Sequence, residues 1–125
     1  MVTRNTALNE LNFRGISINV DDSNTVTIVP SDSGVMFMNK NTSLETNYVL
    51  PAVADSNGKM YWFFNAQTTK NMRITAPTNT MVADNTLIGN YALTTDNKAG
   101  FAAFVIGDGS KYYLFELGTL AWTVS

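Results

Sequence analysis

From Phe13 onward, short apolar runs alternate with clusters of turn residues along the whole chain. In the first run, Ile16 and Ile18 alternate with Ser17 and Asn19, which is the period-two pattern of a half-buried β-strand. Similar runs recur as far as the C-terminus, separated by segments rich in Asp, Asn, Ser and Gly, and no amphipathic helical pattern interrupts them. The pattern predicts an all-β protein, an antiparallel β-sandwich or barrel (jelly-roll-like) of about 8–10 short strands.

The chain divides into two parts by pattern. Residues 1–12 are polar and weakly patterned, and they are predicted to form an N-terminal arm that is disordered or lies against a neighbour. Residues 13–125 are predicted to form a single β domain, since 125 residues are enough for one domain.

Three predicted strands, at residues 60–64, 101–106 and 112–115, are apolar on both faces. A strand in a simple sandwich has one face in water, so these strands either lie in a thick core or meet another subunit with their outer faces. Their aromatic residues would serve equally as core, as an interface or as a platform for stacking sugars. The candidate interface comprises Leu8, Leu11, Phe13, Trp62, Phe64, Tyr112 and Trp122.

Composition removes most catalytic chemistry. The chain has no His and no Cys, so it lacks the commonest general base and any thiolate nucleophile or metal ligand. Its aspartates fall in turns, where they are expected to bond the backbone, and the turn Asp55-Ser-Asn-Gly58 lacks the later carboxylate that a calcium loop needs. The sequence therefore predicts no enzyme, no metal site and no cofactor.

Charge and hydropathy bear on partners. Only 14% of residues are charged and the net charge is −2, while Asn, Thr and Ser account for 39 of the 125 residues. The basic residues are scattered, so no binding to nucleic acid is expected. No apolar run approaches the length of a membrane span, and the start lacks the apolar core of a signal peptide. We expect no membrane partner and synthesis in a cytoplasm.

One family resemblance emerges from the order of several segments between residues 31 and 125. A Gly turn is followed by a strand ending in Leu-Pro-Ala, a second Gly turn, and a strand containing Tyr-x-Phe-x-Asn. These segments are Asp32-Ser-Gly34, Tyr48-Val-Leu-Pro-Ala52, Gly58-Lys-Met-Tyr-Trp-Phe-Phe-Asn-Ala66 and Ile74-Thr-Ala-Pro77. The order resembles a segment of tailed-phage virion structural proteins of the capsid decoration (cement) or head-fibre type. Their C-terminal pattern is similar to Asp108-Gly-Ser-Lys-Tyr-Tyr113 followed by Gly118-Thr-Leu-Ala-Trp122, in which this chain carries a Leu-Ala insert.

This resemblance implies a non-catalytic protein of the virion, made in the host cytoplasm and located on the capsid surface. It would bind the major capsid protein as a homotrimer and stabilise the shell. The alternative is a receptor- or glycan-binding module of a phage tail or head fibre, with Trp62, Tyr112 or Tyr113 in an exposed groove. A cellular β-sandwich binding domain unrelated to phage also fits the residues.

Overall fold

The computed structural model describes residues 13–21, 23–83 and 86–125. These residues form two packed β-sheets, with short 3-10 turns at Pro30–Asp32 and Val53–Ser56. The described strands are β1 (Gly15–Asn19), β2 (Thr25–Thr27), β3 (Val35–Asn39), β4 (Thr46–Val49), β5 (Met60–Asn65), β6 (Met72–Thr75), β7 (Met81–Ala83), β8 (Thr86–Gly89), β9 (Tyr91–Leu93), β10 (Ala102–Gly107), β11 (Tyr112–Leu117) and β12 (Thr123–Val124).

The first six strands alternate between the two sheets. Strands β1, β3 and β5 lie side by side in a seven-stranded sheet of order β1-β3-β5-β10-β11-β7-β8. Strands β2, β4 and β6 lie in a five-stranded sheet of order β12-β9-β6-β4-β2. Neighbours among these six are parallel. The chain therefore coils through three turns, which we call rungs, and each rung contains one strand from each sheet.

Connection length explains this coiling. Five to ten residues join each of the first six strands to the next. That is long enough to cross the roughly 10 Å between packed sheets, whereas a tight hairpin would return the chain to the same sheet. Paired positions lie 20 residues apart between β1 and β3, and 26 apart between β3 and β5.

A row of buried asparagines marks the same place in every rung. Asn19, Asn39 and Asn65 end β1, β3 and β5 and lie opposite one another in the parallel register. The Asn39 amide donates to Asn65 Oδ1 at 2.9 Å. Asn65 Nδ2 in turn lies 3.1–3.3 Å from three backbone carbonyl oxygens of nearby loops. The row thus satisfies polar groups that the turns between sheets would otherwise leave buried and unpaired.

The three prolines of the chain also follow the rungs. Pro30, Pro51 and Pro77 come eleven or twelve residues after the rung asparagine and lie just beyond β2, β4 and β6. Proline has no N–H to give to a sheet ladder, so it suits the position where each rung leaves the five-stranded sheet.

The C-terminal half closes the seven-stranded sheet with antiparallel strands. β10 pairs antiparallel with both β5 and β11. The β10–β11 hairpin turns at Asp108, whose Oδ1 accepts the N–H groups of Ser110 and Lys111 at 2.7 Å each. The Asp-Gly turn in the sequence predicts this hairpin, and the structure confirms it.

One apolar core lies between the two sheets. Its centre is an aromatic cluster in which the rings of Phe37, Tyr48 and Phe63 lie 5.7–5.9 Å apart. Beside it, the buried hydroxyl of Tyr112 bonds Ser56 Oγ at 2.8 Å and the Pro51 carbonyl oxygen at 2.6 Å.

The predicted all-β sandwich is confirmed, but the predicted antiparallel pairing is wrong for half of the described strand pairs. Both sheets are mixed, and the described residues hold twelve strands rather than the expected 8–10. Period-two alternation indicates that a strand has one apolar face and not which strand lies beside it, so the crossing between sheets left no mark in the pattern. The proposed arm at residues 1–12 lies outside the described residues.

Candidate functional site

The outer face of the seven-stranded sheet, turned away from the core, is apolar. Alternation along each strand and the register between strands place fourteen side chains on it. We call this set the outer apolar face: Ile16, Ile18, Met36, Met38, Met60, Trp62, Phe64, Val82, Ala102, Phe104, Ile106, Tyr113, Phe115 and Leu117. None of the fourteen is charged, and only Trp62 and Tyr113 carry a nitrogen or oxygen in the side chain.

An aromatic row runs across the middle of this face. Trp62, Phe104 and Phe115 lie directly opposite one another on β5, β10 and β11. The ring centroids of Trp62 and Phe104 are 5.2 Å apart, and those of Phe104 and Phe115 are 4.7 Å apart with nearly parallel planes. Phe115 remains 47% exposed at the end of the row. Cross-strand aromatic pairs of this kind stabilise the sheet and present a rigid apolar surface.

Exposure continues to the sheet edge. Ile16 and Ile18 on β1 are 52% and 51% exposed, and Leu117 on β11 is 36% exposed. Isolated exposed apolar side chains are ordinary on a protein surface. A contiguous apolar sheet face is not, and such faces mark sites of association.

The five-stranded sheet presents the opposite kind of outer face. Thr75 donates to Asn47 Oδ1 across β6 and β4. Next to them, Arg73 forms an ion pair with Glu45 at 3.4 Å and lies over the Tyr91 ring at 4.4 Å. The two sheets of this domain therefore differ, since one has a polar outer face and the other an apolar outer face. A monomeric sandwich with both outer faces in water does not need an apolar outer face.

Five of the seven predicted interface residues fall into three groups. Trp62 and Phe64 lie on the outer apolar face, half-buried among their neighbours. Phe13 is 54% exposed and lies just before β1. Leu8 and Leu11 lie outside the described residues.

Tyr112 and Trp122 are core residues, so their placement in the interface set is wrong. Tyr112 is fully buried because it points inward on β11, and its neighbour Tyr113 is the side chain that points outward. Trp122 is 2% exposed, and its indole N–H donates to the Ala102 carbonyl at 3.2 Å. Its ring packs edge-on against Phe101. The C-terminus is folded in because β12 pairs with β9, which places Trp122 over the core rather than at a free edge.

The prediction missed the residues that carry most of the exposed apolar face. Ile16 and Ile18 stand out in the alternating pattern of β1, but that pattern gives their side of the strand to the core. Phe104 and Phe115 belong to strands that the sequence shows to be apolar on both faces. The sequence therefore indicates that these strands have an apolar outer face. Only the structure shows that Phe104 and Phe115 lie opposite one another on β10 and β11.

Two exposed aspartates form hydrogen bonds that fix loops: Asp21 bonds Thr42 in a separate loop, and Asp108 bonds the backbone of its own turn. Hydrogen bonds from Thr42 hold the pKa of Asp21 below its usual value. The Lys111 N–H does the same for the pKa of Asp108, and Asp108 also accepts the Tyr113 hydroxyl at 2.7 Å, which raises the pKa of Tyr113. The described residues show no cluster of acids able to hold a metal ion and no concave pocket. No helix in this part of the chain is long and apolar enough to cross a membrane.

No family model matches the sequence, and a comparison with curated proteins finds no relative.

Proposed function

We propose that this chain is a non-catalytic structural protein of a phage virion, a capsid decoration protein that binds the outer capsid surface as a homotrimer. The observation that carries the proposal is the outer apolar face, because a surface of this kind is suited to binding other protein subunits. The resemblance of its segment order to that of virion proteins supports the location, and the lack of His and Cys supports a role without catalysis.

All three subunits of the trimer would contribute to the free energy of capsid binding. Each subunit presents one modest patch to the major capsid protein, and closed symmetry lets three patches engage together. Once one subunit is bound, the effective local concentration of the others strengthens the remaining contacts. The surface outside the apolar face is polar through amides and hydroxyls rather than charges, so the attachment should depend little on salt.

The test is co-sedimentation of the purified protein with capsids that lack a decoration layer, at low and high salt. The proposal expects a saturable, salt-resistant complex and a capsid that withstands a higher temperature. A variant lacking residues 1–12 should keep its fold and its native mass but lose capsid attachment, since the arm is expected to reach the neighbour. Absence of capsid binding by the full chain would refute the decoration role.

A glycan-binding fibre module is the second candidate, because an exposed aromatic row can stack against sugar rings. The structure offers Trp62 and Phe115 for that purpose. Sugar hydroxyls also need polar partners, and the side chains beside the row on this face are apolar except for Tyr113, whose hydroxyl already bonds Asp108. A glycan array separates the two candidates: binding that Phe115→Ala abolishes, without a large loss of stability, would favour the fibre module.

A further inference from the structure

We infer that the outer apolar face is covered by a second copy of this chain. The proposed function includes self-association but does not say which surface joins the subunits, and the inference assigns this face to that contact. It rests on the proposed function only in requiring self-association. Its basis is the combination of extent, charge and side-chain type on a single sheet face.

The extent is right for the centre of a subunit interface. Five adjacent strands, from β1 to β11, lie about 4.8 Å apart and contribute about five residues each at roughly 3.3 Å per residue. The face therefore measures about 24 Å by 17 Å, or roughly 400 Å² in projection. That is about half of the ~800 Å² that each partner buries in a stable complex of ordinary size, and the polar loops around the face would supply the rim.

The absence of charge on this face argues for a copy of the same chain. A partner with its own charge pattern would select for complementary charges, whereas the fourteen described side chains of the face carry none. An uncharged face meets another copy without like-charge repulsion, whether it packs against the same face in a two-fold dimer or against a different surface of the copy in a three-fold ring. Interfaces between identical subunits are also the most apolar class.

The side chains provide a central cluster and an exposed border. Trp62 and Phe104 form a packed aromatic centre, and residues of this type dominate binding energy at interfaces. Ile18 at the β1 edge and Phe115 on β11 lie on either side of that centre and are about half exposed in the single chain. A charge introduced at either position would face water in a monomer but would be buried in the assembly.

The test compares three lysine variants by sedimentation equilibrium over a wide range of concentration. Ile18→Lys and Phe115→Lys place a charge on the face, and Leu44→Lys is the matched control. Leu44 is 54% exposed, like the other two, but lies in the loop between β3 and β4. Circular dichroism checks that every variant is folded.

We expect a wild-type mass of two or three times 13.7 kDa, retained by Leu44→Lys. Each lysine on the face should weaken association at least about thirty-fold, because the assembly would bury a charge that has no partner. A monomeric wild-type chain would overturn the inference, and so would face variants that associate as tightly as the control. A chain that becomes oligomeric only when residues 1–12 are removed would show that this segment covers the face, and would also overturn it.

The outcomes separate this inference from the proposed function. A dimer that loses association with Phe115→Lys supports the covered face and refutes the trimer. A monomer that still binds capsids supports decoration but refutes both the trimer and the covered face.

Discussion

The same substitution, tyrosine to phenylalanine, is expected to have opposite effects on stability at two buried positions. Tyr48 and Tyr112 are 1% and 0% exposed, and each points into the space between the sheets. The Tyr48 hydroxyl finds no hydrogen-bond partner among the described residues. The Tyr112 hydroxyl donates to the Pro51 carbonyl oxygen, and because it has only one proton, the Ser56 hydroxyl must supply the second bond. Replacing each tyrosine by phenylalanine therefore removes an unpaired hydroxyl in one case and a doubly bonded one in the other.

The magnitudes follow from that difference. A buried polar group without a partner costs about 1–3 kcal/mol, so Tyr48→Phe should raise the free energy of unfolding by about 1–2 kcal/mol. The ring contacts with Phe37 and Phe63 are unchanged by the substitution. Tyr112→Phe removes two hydrogen bonds and leaves buried polar groups behind, so it should lower the free energy of unfolding by about 1–3 kcal/mol.

The assay is urea denaturation followed by circular dichroism, with the slope compared between variants to confirm the same unfolding transition. Tyr113→Phe is the control, because its hydroxyl bonds Asp108 at the surface and its loss should change stability by no more than about 0.5 kcal/mol. The reasoning fails if both buried substitutions shift stability in the same direction. Destabilisation by Tyr48→Phe would mean that its hydroxyl has a partner such as an internal water.

Three further outcomes are expected. Asn65→Asp should destabilise the fold by about 2–4 kcal/mol in the same urea assay, since a carboxylate would replace an amide donor that faces three carbonyl oxygens. An unchanged free energy of unfolding would show that these hydrogen bonds contribute nothing. Gly107→Ala should cost about 1–3 kcal/mol, because the new Cβ would overlap the Ser56 carbonyl oxygen, and an unchanged melting temperature would contradict the tight packing there. Burial raises the pKa of Tyr112 to about 12 and raises the pKa of Tyr48 as well, so the folded state holds protons that the unfolded chain releases near pH 10. The contribution of these two tyrosines to stability should therefore be constant below about pH 10 and fall above it, less steeply in Tyr48→Phe. A titration of the melting temperature that stays flat above about pH 10 would show that this is wrong.

The sequence predicts where the strands lie better than how they pair. Asp108 and Gly109 predict a hairpin correctly because a hairpin is a local structure with a specific turn chemistry. The parallel rungs are set by contacts 20–26 residues apart, which no local pattern reports. A repeat signal did exist in Asn19, Asn39 and Asn65 and in the proline that follows each. The unequal rung lengths between them obscure it.

The candidate site was predictable as a surface and not residue by residue. Strands that are apolar on both faces indicate that an outer face is covered or available for contact, and Trp62 and Phe64 do lie there. Tyr112 and Tyr113 are adjacent and identical, so the sequence does not show which of them points outward. Only the register of β11 against β10 decides it.

The three-rung coil has a consequence for how the chain reaches its fold during synthesis. The strands β1 to β4, which form the first two rungs, leave the ribosome before the β10–β11 hairpin. That hairpin pairs with β5 of the third rung and completes the seven-stranded sheet. The hairpin forms from neighbouring residues within microseconds, whereas each parallel rung must first close a loop of 20 or more residues. The N-terminal half is therefore expected to remain loosely ordered until the C-terminal third has emerged, so that the last-made segment organises the first. Premature termination after β6 would leave three rungs with no closing strands and unpaired sheet edges, a species prone to aggregate.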